Sequence, residues 1–190
     1  MKEIVTLLKA ADAAARWHVN QRRKGATQEP YVTHLLEVAM LVAEATDGKD
    51  CPLVVAALLH DAIEDQKISR DEIADKFGED VADLVVEVTD DKNLPKLKRK
   101  RLNIVHAPNL TPRAKILKLA DKISNVRSVA ASPPVGWDTQ RRSDYIIWVK
   151  QVVAALNVNS PILKRHFNRA SEDAERSVRN PIFKTLKRRP

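Results

Sequence analysis

At 190 residues, 44% apolar and 31% charged, the chain is sized for one domain and has ample material for a core. Its four glycines, at 25, 48, 78 and 136, fall singly between periodic segments, which excludes a glycine-rich phosphate loop and a dinucleotide fingerprint, since both need clustered glycines. A single cysteine, Cys51, gives no disulfide framework and fits a reducing compartment, while a net charge of +8 predicts attraction to anions without choosing among nucleic acid, nucleotide and phosphate.

No stretch reaches the roughly 18 consecutive apolar residues of a membrane span. The amphipathic start, with Lys2, Glu3, Lys9 and Asp12, does not resemble a signal peptide, so a cytoplasmic protein is expected. In chain order, Ile4, Leu7, Leu8, Ala11, Ala14 and Ala15 predict a first helix over 3–24, closed by Arg22-Arg23-Lys24-Gly25. A loop with Pro30 follows. Thr33 then opens a second helix through His34, Leu35, Val38, Ala39 and Val42. Asp50 caps a third, central helix, with Pro52 tolerated in its first turn.

Ser69-Arg70-Asp71-Glu72 is a capping box for a short helix ending at Gly78. Residues 79–90 read as the next helix, although Leu84-Val85-Val86-Glu87-Val88 has strand-like composition. A turn at 90–95 leads into the basic run Lys96 to Arg101. Thr111-Pro112 starts a long helix toward Pro133, another covers 139–157, and Ser160-Pro161 begins a last one. Residues from Ser171 onward are charged and read as an exposed extension, giving a domain over 1–170 and a tail over 171–190. The predicted fold class is all-α, a single helical domain with short connections.

The run Pro52 to Leu59 is apolar all round, which marks a buried helix, and it closes in His60-Asp61-Ala62-Ile63-Glu64-Asp65. On a continuous helix, positions 60, 61, 64 and 65 share an arc of about 140°. One imidazole and three carboxylates on a buried helix are costly unless a cation satisfies them. His34 on the preceding helix and Asp121 on the helix after Thr111 complete a set of two nitrogen and two oxygen donors, leaving room for water and phosphate. Imidazole with carboxylate suits Mn²⁺, Fe²⁺ or Zn²⁺.

His34, His60-Asp61 and Asp121 form the H…HD…D pattern of HD-domain phosphohydrolases. Arg23-Lys24, Pro30-Tyr31-Val32-Thr33-His34, the 60–65 run, Thr89-Asp90-Asp91-Lys92, residues 117–125 and Tyr145-Ile146-Ile147-Trp148 resemble the hydrolase domain of RelA/SpoT enzymes. The 89–101 segment and the chain length resemble the stand-alone metazoan SpoT homologue type. The resemblance implies an HD-type helical bundle carrying a Mn²⁺-dependent 3′-pyrophosphohydrolase of (p)ppGpp, with Zn²⁺, Fe²⁺ or another divalent ion as alternatives. It implies His34, His60, Asp61 and Asp121 as metal ligands and Glu64 and Asp65 as the acidic pair acting on water. It places Arg23, Lys24, Lys96, Asn125 and Tyr145 on the nucleotide. A small-molecule nucleotide substrate is expected, with no membrane or nucleic-acid partner and a homodimer allowed.

Leu35 stands where the family commonly has proline, a helix-start preference that is not a ligand. No synthetase segment is expected, so the enzyme should degrade and not make its substrate. Two other readings compete. The same fold could act on another nucleotide, such as the 2′-phosphate of NADPH. A basic helical module could instead bind nucleic acid, but no recognition-helix motif is evident and aromatics make up only 4% of the chain, with none in the basic run. His18, His106 and His166 carry no pattern. Tyr145 and Trp148 are also suited to core packing, and Lys96 to Arg101 to a solvated face.

Overall fold

The computed structural model describes residues 2–179, and among them the regular elements are ten α-helices and one short 3₁₀ turn. The centre is α3 (Cys51–Leu59), in which Leu53 through Leu59 are all buried. Asp50 caps it by accepting the Leu53 N–H at 3.1 Å, satisfying a donor that the first turn leaves without a helical partner. Around α3 stand α1 (Lys2–Trp17), α2 (Val32–Ala45), α6 (Glu79–Val88) and α8 (Pro112–Ala131). Burial on every side explains why this helix lacks an amphipathic pattern.

The helix α8 begins as its sequence predicts, with Thr111 Oγ1 accepting the Ala114 N–H at 3.2 Å and Pro112 in the first turn. The short α5 (Arg70–Phe77) carries the Ser69 cap onto the Glu72 N–H. Residues 84–88 are helical, and Val81, Ala82, Leu84, Val85 and Val88 face the core. Burial on one face at helical spacing decides against the strand. The basic run is itself a helix, α7 (Lys96–His106), with no buried residue. It packs on α9 (Thr139–Leu156), where the Trp148 indole N–H donates to the Lys100 carbonyl at 3.0 Å.

Three local expectations need correcting. The first helix stops at Trp17, not near residue 24, so Arg22, Arg23 and Lys24 lie on an irregular connection. Tertiary contacts hold that connection: His18 stacks on Tyr31 at 5.4 Å, Arg23 N–H donates to the Glu29 carbonyl, and Tyr31 N–H donates to that of Gln21. The central helix is also interrupted. It ends at Leu59, His60 and Asp61 form a turn, and a five-residue α4 (Ala62–Gln66) resumes, ending at Lys67 in left-handed backbone (φ 59°). Finally, residue 171 falls inside α10 (Pro161–Arg179), whose Ser171 and Ala174 are buried against the bundle. Its charges occupy the outer face only. Residues 180–190 of the expected extension lie outside the described residues.

No helix among the described residues is long and apolar enough to cross a membrane. Gly25 has a packing role that helix stopping does not explain. A Cβ built there would sit 2.3 Å from the Ser132 carbonyl oxygen, where the 18–31 connection crosses the end of α8. The Val135 N–H donates to the Lys24 carbonyl at 3.0 Å across the same crossing. Gly25→Ala is therefore expected to destabilise the fold by about 1–3 kcal/mol through overpacking. Thermal unfolding of the variant checks this; a melting temperature equal to the parent's would show that the crossing yields freely.

Candidate metal centre and its cleft

Four side chains from three parts of the chain meet where α2, α3 and α8 approach one another. His34 comes from the first turn of α2 and is 1% exposed, His60 and Asp61 from the turn after α3, and Asp121 from the middle of α8. His34 Nε2 lies 3.4 Å from Asp121 Oδ1 and 3.6 Å from Asp61 Oδ2. His60 Nε2 lies 3.2 Å from Asp61 Oδ2 and 3.9 Å from Asp121 Oδ1. Ligands at about 2.1 Å from one ion are themselves about 3.0–3.4 Å apart in octahedral or tetrahedral arrangement. The donor atoms of His34, His60 and Asp121 all lie within 4.8 Å of one another. These spacings fit a shared divalent cation.

The hydrogen bonds behind the imidazoles point the same way. His60 Nδ1 meets the Ala57 carbonyl at 2.8 Å, and His34 Nδ1 meets Ser124 Oγ at 2.8 Å. Both Nε2 atoms are buried without a hydrogen-bond partner. A carbonyl can only accept, so His60 carries its Nδ1 proton and, when neutral, turns a lone pair into the site. The His60 lone pair, with the buried His34 Nε2 and two carboxylates beside it, makes a donor set that a cation completes.

Burial opposes ionisation of Asp61 and Asp121, yet their neighbours outweigh it. The two imidazoles hold Asp61 well below the usual carboxylate range. Lys122, with the same imidazoles, holds Asp121 low. Burial disfavours the charged His60 ring, but Asp61 and Asp121 carry its pKa up to about 9. Further contacts fix the carboxylates. Tyr31 OH donates to Asp61 Oδ2 at 2.7 Å, Lys122 Nζ to Asp121 Oδ2 at 2.9 Å, and Asn125 Nδ2 to Asp121 Oδ1 at 2.5 Å.

Glu64 and Asp65 line the same inner cavity of about 290 Å³, floored by His60, Asp61 and Asp121. Glu64 accepts the Asp90 N–H at 3.3 Å and has Lys92 and Arg99 at 3.9 and 4.0 Å. Burial, then Asp61 and Asp90, raise its pKa. Asp65 is held differently, by Gln21 Nε2 at 2.6 Å and by an ion pair with Lys92. Gln21 in turn meets His18 Nδ1 at 2.6 Å, so the buried His18 supports Asp65 through one intermediary.

An outer basin of about 660 Å³ shares a wall with the inner cavity, and Arg23, Lys24, Lys96, Asn125 and Tyr145 all line it. Their situations differ. Arg23 donates to the Ser124 carbonyl at 3.3 Å, and Asn125 is engaged with Asp121. Tyr145 packs between Trp137 and Trp148, with centroids at 5.3 and 5.5 Å, and burial pushes its hydroxyl up to about 12. Lys92, Arg99, Lys100, Arg141 and Trp137 line the basin too and were not singled out from the sequence. A signal existed for α7: Lys96, Arg99, Lys100 and Asn103 follow i, i+3, i+4, i+7 spacing, one face of a helix. Of the remaining histidines, His166 bridges Arg127 and Glu44 at 3.0 and 2.9 Å.

The HD domain family model matches residues 10–148. The guanosine-3′,5′-bis(diphosphate) 3′-pyrophosphohydrolase MESH1 of Homo sapiens is 46% identical over 154 residues, covering 81% of this chain and 86% of that protein. The MESH1 protein of Xenopus tropicalis is 44% identical over 158 residues, covering 83% and 88%. Among solved structures, a metazoan SpoT orthologue that hydrolyses ppGpp superposes with a TM-score of 0.84 at 38% identity, covering 91% of this chain and 96% of that one. A Listeria monocytogenes protein superposes with a TM-score of 0.61 at 28% identity, covering 75% and 99%. With its HD residues gathered at one buried centre and these likenesses spanning most of its length, the chain belongs to the HD-domain family, in the group that contains the MESH1 3′-pyrophosphohydrolases.

Proposed function

We propose that the protein is a metal-dependent 3′-pyrophosphohydrolase of guanosine 3′,5′-bis(diphosphate), converting ppGpp to GDP and pppGpp to GTP with release of pyrophosphate. The observation that carries this reading is the pair of unpartnered, buried Nε2 atoms facing Asp61 and Asp121, with Glu64 and a cationic cleft beside them. His34, His60, Asp61 and Asp121 would hold one divalent ion, for which Mn²⁺ is proposed. When bound, that ion supplies Lewis acidity toward water and toward a phosphoryl group.

The protein's own groups do the rest. Glu64 is the base that takes the proton from attacking water, its basicity raised by burial and by Asp61 and Asp90. Asp65, fixed by Gln21 and Lys92, orients that water. A bond forms between the water oxygen and phosphorus, the bond from phosphorus to the ribose 3′-oxygen breaks, and the leaving oxygen takes a proton. Lys92, Arg99 and Lys118 line the inner cavity, where cations offset charge on the transferring group. Lys96, Lys100 and Arg141 line the outer basin, suited to the 5′ phosphates, and Trp137 and Tyr145 offer apolar surface to a base. A cytoplasmic location belongs to this reading and is supported by the lone Cys51.

Assaying the Mn²⁺-loaded protein side by side on ppGpp and NADPH tests the assignment; turnover of NADPH with none of ppGpp would overturn it. His60→Ala and Asp61→Ala are expected to lose both Mn²⁺ and turnover, read by metal analysis of the purified variants beside the rate. Glu64→Gln should keep Mn²⁺ while kcat falls by about 10²–10⁴-fold, because the water loses its base. A folded, metal-bound Glu64→Gln with full activity would remove Glu64 from that role. The raised pKa also fixes a sign. Activity depends on ionised Glu64, so it declines as pH falls through a value above the usual 4.5, and a pH profile of kcat should place the acid limb there.

A further inference from the structure

A cluster of polar groups behind His34 has no part in the mechanism above. Ser124 is fully buried on α8, and its hydroxyl contacts His34 Nδ1 at 2.8 Å. A serine hydroxyl can either donate to an imidazole nitrogen or accept from it, so this contact alone leaves the ring's proton undetermined. Glu37, three residues after His34 on α2, removes the choice. Arg127 donates to Glu37 Oε1 at 2.9 Å, and Arg23 lies 3.8 Å from Oε2. Between two guanidinium groups the carboxylate acts only as an acceptor. Ser124 Oγ therefore donates its one proton to Glu37 Oε2, at 2.5 Å.

With that proton committed, Ser124 can only accept from His34. The neutral ring must carry its proton on Nδ1, and its lone pair is directed through Nε2 toward Asp61 and Asp121. The same anchor holds Arg23, which reaches Ser124 Oγ at 3.4 Å as well as the Ser124 carbonyl and Glu37. Arg127 is braced from α10 by His166, whose other ring nitrogen meets Glu44.

We propose that Glu37 and Ser124 are positioning residues, a hydrogen-bond relay of fixed polarity that sets the tautomer and ring orientation of His34 as a metal ligand and seats Arg23 on the same buried anchor. The proposal rests on the metal-site reading. Neither residue touches the ion or the reacting atoms in this scheme; both act through His34 and Arg23. The relay explains why a carboxylate with two arginine partners lies so near a centre that needs cations: its charge is neutralised locally, and its effect on the centre is the direction of a proton.

Calorimetric titration with Mn²⁺ alone, on the wild type, Glu37→Leu, Ser124→Ala and the double variant, tests it. Each single variant is expected to bind Mn²⁺ about 10–100-fold more weakly. The double variant should bind no more weakly than Ser124→Ala, since Glu37 reaches the ion only through Ser124. KM for ppGpp should rise more in Glu37→Leu than in Ser124→Ala, because only the former removes a partner carboxylate of Arg23. Wild-type Mn²⁺ affinity in folded single variants would overturn the relay, whereas failure of the wild type to bind Mn²⁺ would overturn the metal site beneath it. A measurement free of variants stands beside these: long-range ¹H–¹⁵N spectra of the metal-free wild type, taken where the His34 ring is neutral, should show its proton on Nδ1. A proton on Nε2 would refute the relay.

Discussion

The structure depends on one arrangement: two buried imidazoles facing two half-buried carboxylates, with the second nitrogen of each ring already engaged. Burying such groups is costly unless a cation and a full set of hydrogen bonds compensate. Each supporting element can be traced to that need. The helix α3 brings His60 and Asp61 to the centre on an apolar shaft, α2 delivers His34 in its first turn, and α8 supplies Asp121 with Lys122 and Asn125 on its carboxylate.

The break between α3 and α4 serves the same arrangement. A continuous helix would place Asp61 and Glu64 at fixed helical spacing on one stripe. The turn at His60 and Asp61 instead sets that pair beside His34 and Asp121, while α4 carries Glu64 and Asp65 along the cavity wall toward Asp90, Lys92 and Gln21. In the proposed scheme this turn stands between the ligand pair and the acidic pair. Charge is separated in a similar way across the cleft. Carboxylates dominate the floor of the inner cavity, and cations from the 18–31 connection, α7 and α9 line the outer basin. A polyanionic nucleotide bridging the two regions meets a complementary field at each end.

The connection over residues 18–31 ties the site to the rest of the fold. It carries Gln21, Arg23, Lys24 and Tyr31, each engaged with or lining the centre, and it is pinned against the 132–135 segment at Gly25. Arg23 and His34 share the Glu37–Ser124 anchor, so the 18–31 connection and the first turn of α2 are joined behind the site. The long α10 contributes through His166, which accepts from Arg127 of α8.

Much of this was legible in the residues alone. Helix starts at Asp50, Ser69, Thr111 and Pro161 follow from capping chemistry and proline geometry, which are local and survive any tertiary context. The apolar run before His60 announced a buried helix, and its ionisable end announced a cation. The tertiary structure alone decided where the first helix stops, because stacking of His18 on Tyr31 and the crossing at Gly25 outweigh the weak preference of residues 18–24 for continuing. It also placed Lys96, Arg99 and Lys100 on a cleft wall while Leu97, Lys98 and Arg101 stay exposed, and it drew residues 171–179 into the bundle. Glu37 and Ser124 had no local signature: a glutamate and a serine on two helices acquire direction only when a third group commits the proton between them. Sequence by itself determined the helices, the buried shaft and the donor types. Which donors share a cation, and which way each proton points, required residues about ninety positions apart to be brought within a hydrogen bond of one another.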